Sequence, residues 1–292
     1  IIGAIFGIIF INKFNKYREM YKKILTSSSM NTQENAEKIA RETVLNQIEI
    51  TPETTSNKKG YAYFNEIFIK RHSKILSKSV KWLSYIIVFI IIGMLFFTQI
   101  NEGLRTKTNE LLMSSLPYFV FIMYLINRGQ TVTQSMFMNC DHSMLTYAFF
   151  RSPKAILSLF KERIKSVVFI NAIPAILVGI GLSLLLYFTG GTTNNLDYLI
   201  IFVSIISMSV FFSIHHLVMY YLLQPYNAAS ETKSSTYSVV NLLTYFVCYY
   251  MMKVKLPTTY FGIATIIFAS VYCIISLILA YRLAPKTFKL RV

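Results

Sequence analysis

Groups that carry out chemistry are scarce in this chain. Its 292 residues hold three cysteines, Cys140, Cys248 and Cys273, and the last two lie inside apolar runs. That excludes a disulfide framework and a zinc-ligand pattern, and leaves packing as the reading for all three. No GxxxxGK[ST] occurs, so the chain has no P-loop of its own to cradle nucleotide phosphates; HExxH and GxSxG are absent as well. Acidic residues are few, 13 against 29 Lys and Arg, for a net charge of +16. In a soluble protein such an excess would point to nucleic acid. Here the cations collect in alternate loops between apolar segments, which points to a membrane instead.

What is abundant is apolar surface. Hydrophobic residues make up 54% of the chain and aromatics 15%, with a mean hydropathy of +0.49, more than a soluble core of this size needs. A bilayer core of roughly 30 Å takes about 20 apolar residues of helix. Six segments qualify, at about 82–100, 111–127, 167–188, 198–223, 237–252 and 259–281. The second and fifth are short. Pro117 and Pro174 fall inside spans, where neighbours must satisfy the freed carbonyls. Trp82, Tyr198, Tyr220, Tyr221 and Tyr281 stand near segment ends, as in an interfacial belt. Ahead of these, residues 1–11 read IIGAIFGIIFI and are followed by Asn12, Lys13 and Lys16. A signal peptide carries its charges before the apolar run. The order here fits the remnant of a preceding transmembrane helix, with a GxxxG at Gly3 and Gly7.

Loop charge sets an expected orientation. Residues 12–81, 128–166, 224–236 and 282–292 hold 25 of the 29 cations; the intervening loops hold four. The positive-inside rule makes the first set cytoplasmic, with the C terminus inside. The expected fold is therefore all-α, a polytopic bundle of six complete spans. A polar cytoplasmic linker at 12–60 joins the N-terminal remnant to a six-span domain at 61–292, which carries a patterned loop at 128–166.

Within the linker, Glu34 with Lys38 and Glu37 with Arg41 stand at i,i+4, consistent with a short surface helix. In residues 60–81, apolar residues including Phe64 and Phe68 share one helical face, with Lys70, Arg71 and Lys74 supplying cations beside His72. That predicts an interfacial helix leading into the first complete span. In residues 139–166, Ser152 is placed to cap and Pro153 to open a helix on which Ile156, Leu159, Phe160, Ile164 and Val167 recur at helical spacing. Met144, Leu145, Tyr147, Phe149 and Phe150 form an apolar cluster before it, close to Asp141 and Arg151. A patterned loop of this length usually has a task; helices lying among lipid headgroups are the plainer alternative.

The span interiors contain no Asp, Glu, Lys or Arg, which disfavours a proton relay or ion-coupled carrier. His215 and His216 are the only imidazoles within a span, and neighbouring helical positions point about 100° apart, so the pair is poorly placed to share a metal.

The stretches KGYAYFNEIFIKRHSKIL (59–76), NCDHSMLTYAFFRSP (139–153) and INAIPAI (170–176) resemble permease subunits of the second ABC exporter superfamily from Gram-positive bacteria, including the Ecs-type group. The resemblance implies a permease subunit of an ATP-driven exporter in the bacterial cell membrane, not itself an enzyme and binding no cofactor of its own. ATP and magnesium would be handled by a partner ATPase docked on the 139–166 loop, and a second permease subunit would complete the assembly. It also implies a coupling surface at Asp141, Tyr147, Phe149, Phe150 and Arg151. The cargo is expected to be a peptide or another amphiphile. A sensor or scaffold, and an intramembrane enzyme using His72, His142 or the His215–His216 pair, are the alternatives from other classes.

Overall fold

A computed structural model describes residues 17–26, 56–226 and 234–289. The chain divides into two units, Ile1–Glu49 and Ile50–Val292. Of the first unit, the described part is helix α1 (Tyr17–Thr26). The expected remnant at 1–11 and the helix around residues 34–48 lie outside the described residues.

The second unit is helical along its described length, with no strand beyond one isolated backbone bridge. Helices α2 (Gly60–Arg71) and α3 (Ser73–Ile100) meet at His72. Next come α4 (Glu102–Ser114), α5 (Tyr118–Ile126) and α6 (Gly129–Met136). A π-helical turn (Phe137–Asp141), one helical turn (His142–Met144) and a 3-10 turn (Ala148–Arg151) lead into α7 (Pro153–Phe188). The chain then forms α8 (Leu196–Leu223), α9 (Ser235–Met251), α10 (Thr258–Arg282) and the short α11 (Ala284–Thr287).

Among the described residues, four helices are long and apolar enough to cross a membrane: α3 along Lys78–Ile100, and α7, α8 and α10. The segment expected at 111–127 is not one helix. Pro117 has no N–H to continue the ladder, and the chain turns at Ser115 between α4 and α5. Carbonyls beside this break are taken by Leu256, ahead of α10, and by Thr258 at its start. Leu256 N donates to Ser114 O at 2.9 Å, and Thr258 Oγ1 to Leu112 O at 2.6 Å. A second break, at Asn127 and Arg128, is closed by polar groups of α7 and α8. Arg128 N donates to Asn171 Oδ1 at 2.8 Å, while Asn127 Nδ2 reaches Ser209 O and Ser213 Oγ. The segment expected at 237–252 is the 17-residue α9, which at 1.5 Å per residue extends about 26 Å.

One further difference from the sequence reading concerns α7. The expected amphipathic helix after Pro153 and the expected span from Val167 are a single 36-residue helix, about 54 Å long. No breaker separates the two patterns, and Pro174 is accommodated within the helix as a buried residue. Ser152 Oγ accepts from Ala155 N at 3.4 Å, so the predicted cap and the proline at the first helical position are both present.

Helices α7 and α8 form the central pair, with α3 packed on α7 and α10 on α8; α9 packs chiefly on α5. Small residues allow the closest approaches. A Cβ at Gly181 of α7 would lie 2.2 Å from Ile91 Cδ1 of α3, and one at Gly262 of α10 would lie 2.3 Å from Ile200 Cγ2 of α8. The outer faces expose long apolar side chains, including Phe89, Ile92 and Phe97 of α3 and Ile267 and Ile274 of α10, as expected where the solvent is hydrocarbon.

Candidate docking groove and buried charge network

The π-helical turn Phe137–Asp141 inserts an extra residue per turn, and such turns re-aim the side chains beside them. Asp141, at its end, is fully buried. Its carboxylate accepts hydrogen bonds from both terminal nitrogens of Arg163 in α7 and from the Tyr220 hydroxyl in α8. Arg163, 2% exposed, also donates to the Tyr221 hydroxyl at 2.9 Å and lies over the Tyr221 ring, 5.7 Å from its centroid. The opposite charges neutralise each other, and several further polar groups around them are bonded, which a buried pair needs to offset its desolvation. Tyr221 stacks on Phe288 at 4.4 Å between centroids, and Thr287 Oγ1 donates to Tyr221 O at 3.1 Å. One network thus joins the π turn, α7, α8 and the C-terminal α11.

This corrects the expectation for Asp141. Its charge is spent inside the fold, so it offers no surface partner for a docked protein.

Beside the network, α2 and the 139–150 segment line a groove of about 420 Å³. Helix α2 contributes Phe64, Phe68, Arg71 and His72; the facing wall contains Asn139, Ser143, Tyr147 and Phe150. Asn65 fastens α2 to α7, donating to Ser166 Oγ at 2.6 Å and to Glu162 O at 3.3 Å. Midway along α2, Glu66 pairs with Lys70 at 2.9 Å and with Lys58, ahead of the helix, at 3.3 Å. Hydrogen bonds from Lys70 and then Ser56 hold its carboxyl down to about 2.

Of the four α2 residues singled out in the sequence, Phe64 and Arg71 are exposed, as an interfacial helix requires. Phe68 and His72 are buried and stack on each other at 4.4 Å, which corrects their placement among lipid headgroups. They instead anchor α2 to the bundle. His72 Nδ1 contacts Phe68 O at 2.9 Å, and burial pulls the imidazole below its ordinary value, favouring the neutral ring. Among the remaining candidates, Tyr147 and Phe149 are 66% and 69% exposed. Phe150 is half-buried and meets Phe149 edge-on at 5.4 Å. Arg151 ends the 3-10 turn, and its side chain lies outside the described ones. Burial pushes the Cys140 thiol in the groove wall well up, which favours the protonated form over the reactive thiolate.

The span histidines take separate partners. His215 bonds Tyr272 and Thr244, while His216 stacks on Tyr124.

Counting Arg163 as a loop cation and Tyr220 and Tyr221 as belt residues missed the charge network. A signal was nevertheless present: Ile156, Phe160, Arg163 and Val167 recur at steps of four, three and four. That places a cation on the apolar stripe of a helix, where it needs an internal partner.

No protein family, curated protein or solved structure shows significant similarity to the chain.

Proposed function

We propose that this chain is the membrane-spanning permease subunit of an ATP-driven ABC exporter of the second superfamily, energised by a separate ATPase that docks on the groove between α2 and the 139–150 segment. The observation that carries the proposal is the convergence of two distant stretches. Residues 60–72 and 139–150 line a single groove with exposed aromatic residues beside it.

Mechanical continuity supports the same reading. A push on the 139–150 segment reaches Asp141, whose buried pair with Arg163 passes it to α7 and, through Tyr220 and Tyr221, to α8. Because α7 is one helix of about 54 Å, its two ends move together. Tyr147, Phe149 and Phe150 supply the apolar contact, and Arg71 supplies a cation for an acidic site on the ATPase. In this reading the groove is cytoplasmic. The broken α4–α5 segment and the short α9 complete six passes, and a second permease subunit shares the transport path. Cargo in the amphiphile or peptide class suits a bundle whose spans expose so much apolar surface. ATP hydrolysis with its magnesium belongs to the partner.

The test is co-purification of the protein in mild detergent with and without the double substitution Tyr147→Ala and Phe149→Ala. Both side chains are exposed, so the fold should survive the change. An ATPase that accompanies the wild type and is lost from the variant is the expected result. If no ATPase accompanies either form, the exporter reading fails and a sensor or scaffold takes its place; retention by the variant moves the docking site elsewhere.

A further inference from the structure

Between α9 and the α8–α10 pair lies an apolar slot of about 450 Å³, within the size range of built ligand pockets. Its floor contains Met208, Phe212 and Cys248, each no more than 3% exposed. Its mouth contains Leu243, Val247 and Phe268, all more than half exposed. The slot is therefore closed inward and open sideways, between two helices whose outer faces are themselves apolar.

The polar side chains in its wall identify the occupant by what they withhold. Thr244 Oγ1 donates to Val240 O at 2.8 Å, so its oxygen accepts from His215 Nε2 at 3.2 Å, while His215 Nδ1 is hydrogen-bonded with the Tyr272 hydroxyl at 2.9 Å. Both imidazole nitrogens are thereby engaged. Thr265 Oγ1 donates to Phe261 O at 2.8 Å. No charged side chain lines the slot. A headgroup or peptide backbone placed there would give up hydrogen bonds and regain none, and water would lack the polar partners it needs. A helix of another copy, 10–12 Å across, would fit for only roughly one turn. A hydrocarbon chain meets none of these objections.

We propose that the slot binds one acyl chain of a membrane phospholipid, entering sideways from the bilayer between α9 and α10. The occupied slot braces α9, which otherwise packs chiefly on α5, and the His215–Thr244 bond ties α9 to α8 at the slot wall. The proposal is independent of the exporter reading, since it needs no ATPase.

The test uses the full chain reconstituted in phosphatidylcholine vesicles that contain a phospholipid with a diazirine near the end of one acyl chain. After irradiation, labelled residues are located by peptide mass spectrometry. Adducts are expected on Met208, Phe212 and Cys248 as well as on the lipid-facing Phe89 and Ile92. Filling the slot from its α10 wall with Ala264→Trp, or separately from its mouth with Leu243→Trp, should abolish the floor adducts and leave those on α3 unchanged. Floor residues that stay unlabelled in the wild type, or are labelled equally in both variants, would overturn the proposal. So would labelling by a diazirine fatty acid with none by the phospholipid.

Discussion

Asp141 and Arg163 stand 22 positions apart in the chain and neutralise each other in its interior. The pair is bound to Tyr220 and Tyr221, so removing one charge leaves the other buried with no counterion. Asp141→Asn is expected to cost about 3–5 kcal/mol, read as a lowered midpoint of thermal unfolding in detergent. The double change Asp141→Leu with Arg163→Met, which removes both charges, should cost less than the single one. An equal or larger loss in the double variant would mean that the pair contributes net stability of its own. The comparison matters for function, because the same four side chains link the groove wall to α7 and α8. Sequence composition marks Asp141 as a surface acid and Arg163 as a loop cation. Only the π turn, which aims Asp141 inward, brings them together.

At the scale of elements, α2 is held on the bundle by the Asn65 bonds and by the burial of Phe68 among Val132, Met136 and Val167, with His72 stacked on its ring. Burial, with repulsion from Arg71 as a smaller contribution, lowers His72 from its ordinary 6.5. The sign follows from linkage: a depressed folded value means the neutral ring is favoured in the fold, so the contribution is fully present above 6.5 and is lost as pH falls through the folded value. Amide exchange in α2, corrected for its intrinsic pH dependence, should therefore quicken as pH is lowered from above 6.5 to well below it. His72→Phe should remove the step, since the stacked ring stays and the titrating group goes. Persistence of the step in that variant would assign it to another group. Elsewhere, element boundaries were legible where local chemistry sets them, as at the Ser152 cap with Pro153. They were not legible where a distant backbone decides. The break at Ser115 is held open by Leu256 and Thr258, more than a hundred residues away, and hydropathy alone cannot show it.

At the scale of the whole molecule, the four membrane-length helices among the described residues and the partition of cations predict a topology that can be measured. In a cysteine-free background, a cysteine at Lys289 should resist a membrane-impermeant maleimide added outside intact cells, and one at Asn194 should react. The reverse pattern would invert the bundle and remove the groove from reach of a cytoplasmic ATPase. The apolar spans and the charge asymmetry are written in composition and period, because hydrocarbon imposes one requirement on every lipid-facing residue. The sequence by itself therefore determined a helical membrane protein and marked two stretches, 60–81 and 139–166, parts of which line one groove. Tertiary structure alone decided that Asp141 is an interior counterion, that Phe68 and His72 anchor α2, and that 111–127 is broken. Each of those outcomes depends on partners distant in the chain, and neither helical period nor residue type records where a distant partner will be.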